Sequence, residues 1–72
     1  MATFSERLFQ LKSERGILQK DVAKGAGLSL RSYQYYETDQ REPSLSALIA
    51  LADFYNVSLD YLVGRSDVPE RR

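Results

Sequence analysis

Apolar residues recur along this chain at helical spacing. Phe4, Leu8 and Leu11 lie three or four positions apart and predict the buried stripe of a first helix ending near Arg15. Thr3-Phe4-Ser5-Glu6 has the form of a capping box, and Gly16 suits the position just past the helix end. Ile17 falls in a short link. A second helix is predicted from Gln19 to about Lys24, followed by a turn over Gly25-Ala26-Gly27-Leu28. Ser29 is a good N-cap for a third helix ending near Thr38-Asp39. Pro43 bars any helix from running on out of the loop at 40–43. Ser44 caps a fourth helix, in which Leu45, Leu48, Ile49, Ala52 and Tyr55 make an amphipathic stripe. Asn56 suits its C′ position. Ser58 caps a short fifth helix through about Val63, with Leu59 and Leu62 inward and Gly64 as its stop. Nothing alternates as a strand would, so the fold class is all-α, a bundle of five helices. Residues 1–65 are expected to form one domain, and 66–72, polar and containing Pro69, a disordered tail.

The second and third helices carry the chemistry. If Val22, Ala23, Leu28, Tyr33 and Tyr36 face inward, then Arg31, Gln34, Tyr35 and Thr38 share the outer face of the third helix. Basic, amide and aromatic groups on a short exposed helix are the side chains that read base edges in a major groove. The second helix starts less well. Leu18 offers no acceptor at its N-cap, a deficit of about 1 kcal/mol. Asp21 in the first turn offsets part of it through the helix dipole.

Composition narrows the alternatives. With 72 residues and 43% of them hydrophobic, one small core is possible. There is no Cys and no His, which excludes a disulfide framework, a Cys/His metal site and His-assisted nucleophilic catalysis. No apolar run approaches the ~20 residues that span a bilayer, and no secretion signal leads the chain. A soluble, reducing cytoplasmic setting fits. The formal net charge is zero. Up to Arg41, seven basic residues face five acidic ones; from Glu42 onward, three basic face five acidic. The positive end therefore coincides with the candidate reading helix. Five tyrosines suggest base stacking, but Tyr33, Tyr36 and Tyr55 are needed by the core, and stacking requires unpaired bases.

These residues resemble the Cro/repressor-type (XRE-like) helix-turn-helix of bacterial and phage regulators. The resemblance rests on Arg15-Gly16-Ile17, Gln19, Ala23, Gly27-Leu28-Ser29, Tyr33, Tyr36-Glu37, Arg41-Glu42-Pro43-Ser44-Leu45, Leu48, Leu51-Ala52, Val57-Ser58-Leu59, Asp60, Leu62 and Gly64. It covers roughly residues 5 to 65. Leu18 departs from the family's usual Ser, Thr or Asn, and Asp39 from its usual Gly. The resemblance implies that the third helix enters the major groove while the second crosses the backbone. Leu30, Arg31, Gln34 and Tyr35 then occupy the base-reading face: Arg31 suits guanine, Gln34 adenine, and Leu30 a thymine methyl. Gln19, Lys20, Ser29, Ser32 and Arg41 would flank the face as phosphate contacts, while Lys24 beside them is expected in solvent. Ser29 and Ser32 have helix capping as an equal alternative. Lys12 and Glu37 match a structural ion pair of the family, so Glu37 is expected to be scaffold.

The resemblance further implies a homodimer, since one reading helix covers only a few base pairs and paired half-sites lie about 34 Å apart. With no separate oligomerisation segment in view, Asn56, Val57, Leu59 and Tyr61 are the interface candidates. The expected function is a sequence-specific regulator of transcription, a repressor that binds a palindromic operator on double-stranded DNA and needs no cofactor, metal or small-molecule ligand. The alternative is the antitoxin of a toxin–antitoxin pair, which binds a protein partner as well as DNA. An enzyme is the least supported class, because the acids Asp21, Glu37 and Asp39 have no His, Cys or phosphate loop to join them.

Overall fold

The computed structural model describes residues 3–70. Five helices follow in order: α1 (Phe4–Arg15), α2 (Gln19–Ala26), α3 (Leu30–Glu37), α4 (Leu45–Tyr55) and α5 (Leu59–Leu62). No strand occurs among the described residues. α1 packs on α3 and α5, α2 on α3 and α4, and α4 on α5. The core is built from Leu8, Leu11, Val22, Ala23, Tyr33, Tyr36, Ala47, Leu51, Ala52, Tyr55, Val57, Tyr61 and Leu62. Phe4 is half-buried, its ring 6.3 Å from that of Tyr36.

Local chemistry sets the helix ends. The Thr3 hydroxyl accepts from Glu6 N, while the Glu6 carboxylate accepts from Thr3 N at 3.0 Å. Those bonds hold the Glu6 carboxyl below its ordinary value. Ser29, Ser44 and Ser58 each accept from the amide three residues on. Gly16, Gly27 and Asn56 end α1, α2 and α4 in the left-handed conformation. Asp39 also adopts it, with φ 60° in the loop after α3. Asp tolerates this conformation less well than Gly.

Three features differ from the sequence-based expectation. α2 runs two residues further than predicted, so Gly25 sits inside a helix. The position needs glycine for a steric reason: a Cβ on Gly25 would run into the ring of Phe54 on α4. Gly25 is what lets α2 and α4 approach. α4 is also rotated from the predicted stripe. Ala47, Leu51, Ala52 and Tyr55 are buried, while Leu45 and Ile49 are 67% and 43% exposed.

The third difference is the tail. Expected to fray, it folds back through Glu70, although residues 71 and 72 lie outside the described residues. Pro69 O accepts from Ser58 N at 3.0 Å, and Asp60 O accepts from the amides of Arg65 and Ser66. Arg7 explains the rest. Only 4% exposed, its guanidinium stacks 3.8 Å from the centre of the Tyr61 ring. It donates to Ser66 O at 3.4 Å and pairs with Asp67 at 3.5 Å. A buried cation needs acceptors; Gln10 on α1 and the tail supply them, while Nε finds none.

Gly25→Ala tests the α2–α4 contact. Alanine is the better helix former by about 1 kcal/mol, yet overpacking costs roughly 1–3 kcal/mol. We expect net destabilisation in chemical denaturation. A Phe54→Leu background should shrink the effect, whereas an unchanged cost there would show that the ring is not the obstacle.

Candidate nucleic-acid interface

α2 begins without a side-chain cap. Leu18 is exposed, and its amide instead donates to Asp21 Oδ2 at 3.0 Å. Asp21 thus contributes a direct hydrogen bond beyond its charge. α2 then descends to Gly27, whose φ of 70° redirects the chain toward Ser29 and α3. Ser29 accepts from Ser32 N at 3.1 Å and donates from its hydroxyl to Ser32 Oγ at 2.9 Å. Ser29 therefore caps α3, and the Ser32 hydroxyl supports that cap.

Tyr33 and Tyr36 anchor one side of α3 in the core. The other side carries Leu30, Arg31 and Gln34, all exposed, with Tyr35 half-buried beside them. The Arg41 guanidinium lies 4.7 Å from the centre of the Tyr35 ring, which restrains both side chains. Lys20, Lys24 and Arg41 are exposed. Thr38, expected on the same face, donates its hydroxyl to Gln34 O at 2.7 Å and closes the helix end.

Beneath this face the expected Lys12–Glu37 ion pair is present, and it continues into a hydrogen-bonded chain that sequence reasoning missed. Lys12 Nζ meets Glu37 Oε1 at 2.9 Å, and their side chains are 16% and 7% exposed. Gln19 Nε2 donates to the same oxygen at 3.2 Å, and Gln34 Nε2 donates to Gln19 Oε1 at 3.2 Å. Three helices and the exposed face are thereby joined. The pairing of Gln19 with Gln34 spans fifteen residues and leaves no periodic signal.

The Glu37 carboxyl is under opposing pressures. Burial raises its pKa, but Tyr33, Lys12 and Gln19 together outweigh burial, and the net shift is downward from 4.5. Tyr33 acts on the carboxyl without a well-aligned bond, because Glu37 Oε2 and the Tyr33 and Tyr55 hydroxyls find no partner of full hydrogen-bond geometry. Burial, with Glu37 adding to it, raises the Tyr33 phenol strongly. Burial likewise pushes Tyr55 up to about 12.

The four interface candidates separate. Asn56 and Leu59 are exposed, whereas Val57 and Tyr61 are 5% and 7% exposed and belong to the protomer's own core. Tyr61 is held there by Arg7 and by Gln10, which donates to its hydroxyl at 3.2 Å. The structure instead adds Ile49 and Val68 to the exposed apolar set. These line an open cleft of about 520 Å³ between α4, α5 and the tail, alongside Leu59. Among the described residues, no helix is long and apolar enough to cross a membrane, and no cluster of His, Cys, Asp or Glu could hold a metal.

The Glu37 shift makes stability depend on pH. A carboxyl held below 4.5 stabilises fully above that value, and the contribution is lost as pH falls through the lower folded-state value. Glu6 acts in the same direction. Glu37→Gln should cost about 3 kcal/mol near neutrality, since it leaves Lys12 without its anion. The variant should then lose less further stability on acidification than the parent. Parallel acid-unfolding curves for the two proteins would contradict this.

The comparisons with known proteins agree with this geometry. A family model described as a helix-turn-helix matches residues 10–62. The chain is 34% identical over 67 residues to the uncharacterized HTH-type transcriptional regulator YobD of Bacillus subtilis (strain 168), covering 93% of this chain and 60% of that protein. It is 36% identical over 64 residues to the cryptic phage CTXphi transcriptional repressor RstR of Vibrio cholerae, covering 89% and 58%. It thus spans 60% or less of these curated relatives' lengths. Among solved structures it resembles the P22 c2 repressor in complex with synthetic operator 9T, with a TM-score of 0.83 and 26% identity over 92% of this chain and 100% of that one. The match over residues 10–62 and the shared fold establish that the chain belongs to the helix-turn-helix family, of the XRE-like, phage-repressor type.

Proposed function

We propose that the chain binds a palindromic operator on double-stranded DNA as a homodimer and represses transcription in the cytoplasm by occluding a promoter. One observation carries this reading: Arg31 and Gln34 project together into solvent from a helix whose opposite side is locked by Tyr33 and Tyr36. In the docking geometry of such motifs that face lies against base edges. Leu30 and Tyr35 complete it. Gln19, Lys20, Ser29, Ser32 and Arg41 surround it at positions suited to phosphate oxygens.

The second copy is best accommodated on the α4–α5 side. Leu59 from the expected set, with Ile49 and Val68, leaves apolar surface exposed there, and Asn56 is exposed as well. Burial of apolar area of this kind drives association. It lies outside the reading face, so two copies can associate without covering α3.

Arg31→Ala or Gln34→Ala should cost about 1–3 kcal/mol and relax preference at one base position, measured by gel shift on variant duplexes. Equal loss on every sequence would reduce these residues to phosphate contacts. With zero net charge, the salt dependence of binding should be shallow compared with that of a strongly basic domain. Leu59→Lys should shift sedimentation equilibrium toward monomer and weaken operator binding in step. A dimer of unchanged strength would place the interface elsewhere.

A further inference from the structure

An ionised carboxylate can only accept hydrogen bonds. Glu37 Oε1 accepts from Lys12 Nζ and from Gln19 Nε2. Gln19 must therefore turn its NH2 end toward Glu37, which leaves its Oε1 facing α3. That oxygen accepts from Gln34 Nε2 at 3.2 Å. Gln34 in turn must present its NH2 end to Gln19. The two ends of a glutamine amide are nearly identical in shape, so packing alone would not choose between them. The choice comes from Glu37. Reversing Gln34 would set two amide oxygens against each other, and reversing both amides would set an oxygen against the carboxylate. The low-lying Glu37 carboxyl stays ionised near neutrality, which keeps the direction fixed.

The free atoms of Gln34 follow. Its Oε1 remains available as an acceptor, beside one unused N–H. Adenine presents an acceptor at N7 and a donor at N6 in the major groove, whereas guanine presents two acceptors, N7 and O6. A freely rotating glutamine can turn its NH2 toward guanine. One whose amide is held from behind would bring oxygen against O6.

We infer that Glu37, acting through Gln19, is a positioning residue that fixes the Gln34 amide and thereby makes it select adenine over guanine. This rests on the DNA-binding reading above and gives Glu37 a role in specificity in addition to its place in the ion pair.

The test compares the full chain with Gln34→Ala, Gln19→Ala and Glu37→Gln by selection from a random duplex library and sequencing. The parent should prefer adenine over guanine at one position by about tenfold or more. Gln34→Ala and Gln19→Ala should each reduce that ratio to within about threefold at the same position, leaving the position read by Arg31 intact. Glu37→Gln should do the same. If it melts below the assay temperature, Gln19→Ala decides. An even loss of affinity in Gln19→Ala, with the adenine preference kept, overturns the inference and leaves the DNA-binding reading standing. A parent pool with no enriched duplex overturns that reading, and this inference with it. NMR couplings across hydrogen bonds in the free protein give an independent readout. Coupling from Gln34 Nε2 to the Gln19 side-chain carbonyl supports the fixed direction, and coupling from Gln19 Nε2 to the Gln34 carbonyl overturns it.

Discussion

The buried carboxylate of Glu37 is the constraint on which the helix arrangement depends. Taking such an anion out of water costs on the order of several kcal/mol, and attraction to a single ammonium barely offsets this. The site therefore gathers donors on one carboxylate oxygen, Lys12 from α1 and Gln19 from α2, with the Tyr33 phenol close by. Each is useful only if its helix lies at the right angle and depth. The net contribution to stability is small. The contribution to uniqueness is larger, because a slipped α1 or α2 would leave a charge buried and unpaired.

The rest of the stability is distributed. A chain of this size buries a limited core. Four of the five helices compensate with Thr or Ser caps, each worth about 1 kcal/mol. α5 has four residues, far too few to persist alone. It is held by Ser58 at its start, by Tyr61 and Leu62 in the core, and by the tail returning over it. Arg7 ties that tail to α1, so the end of the described chain is part of the packing.

What was legible in the sequence was local. The capping box at Thr3, the serine caps at 29, 44 and 58, and the left-handed ends at Gly16 and Asn56 depend on residues within a few positions of each other. Tyr33 and Tyr36 could be placed inward because α3 has a clear polar side. The rotation of α4 could not be read, because LSALIALADFY is apolar almost all the way round, and only its neighbours decide which side is buried. Gly25 and Gly27 look alike in sequence. One makes room for Phe54 and the other reverses the chain. Tyr61 looked available as surface because the partners that hold it inside, Arg7 and Gln10, lie some fifty residues away.

Charge neutrality gives the preorganised face its importance. A strongly basic domain gains affinity from phosphates on any sequence. With ten basic and ten acidic residues, this chain has little of that general attraction. Discrimination then depends on base contacts, and each flexible side chain that must be ordered on binding costs about 0.5–1.5 kcal/mol. Two of the outward groups are already restrained: Tyr35 by the Arg41 guanidinium above its ring, and Gln34 by Gln19. Arg31 is exposed and makes no such bond among the described contacts. The same constraint that fixes the helix angles thus extends, through one amide, to the Gln34 side chain on the outer face of α3. On the proposed DNA-binding reading, a neutral chain gains most from that arrangement, because its specificity would come from contacts that are costly to assemble.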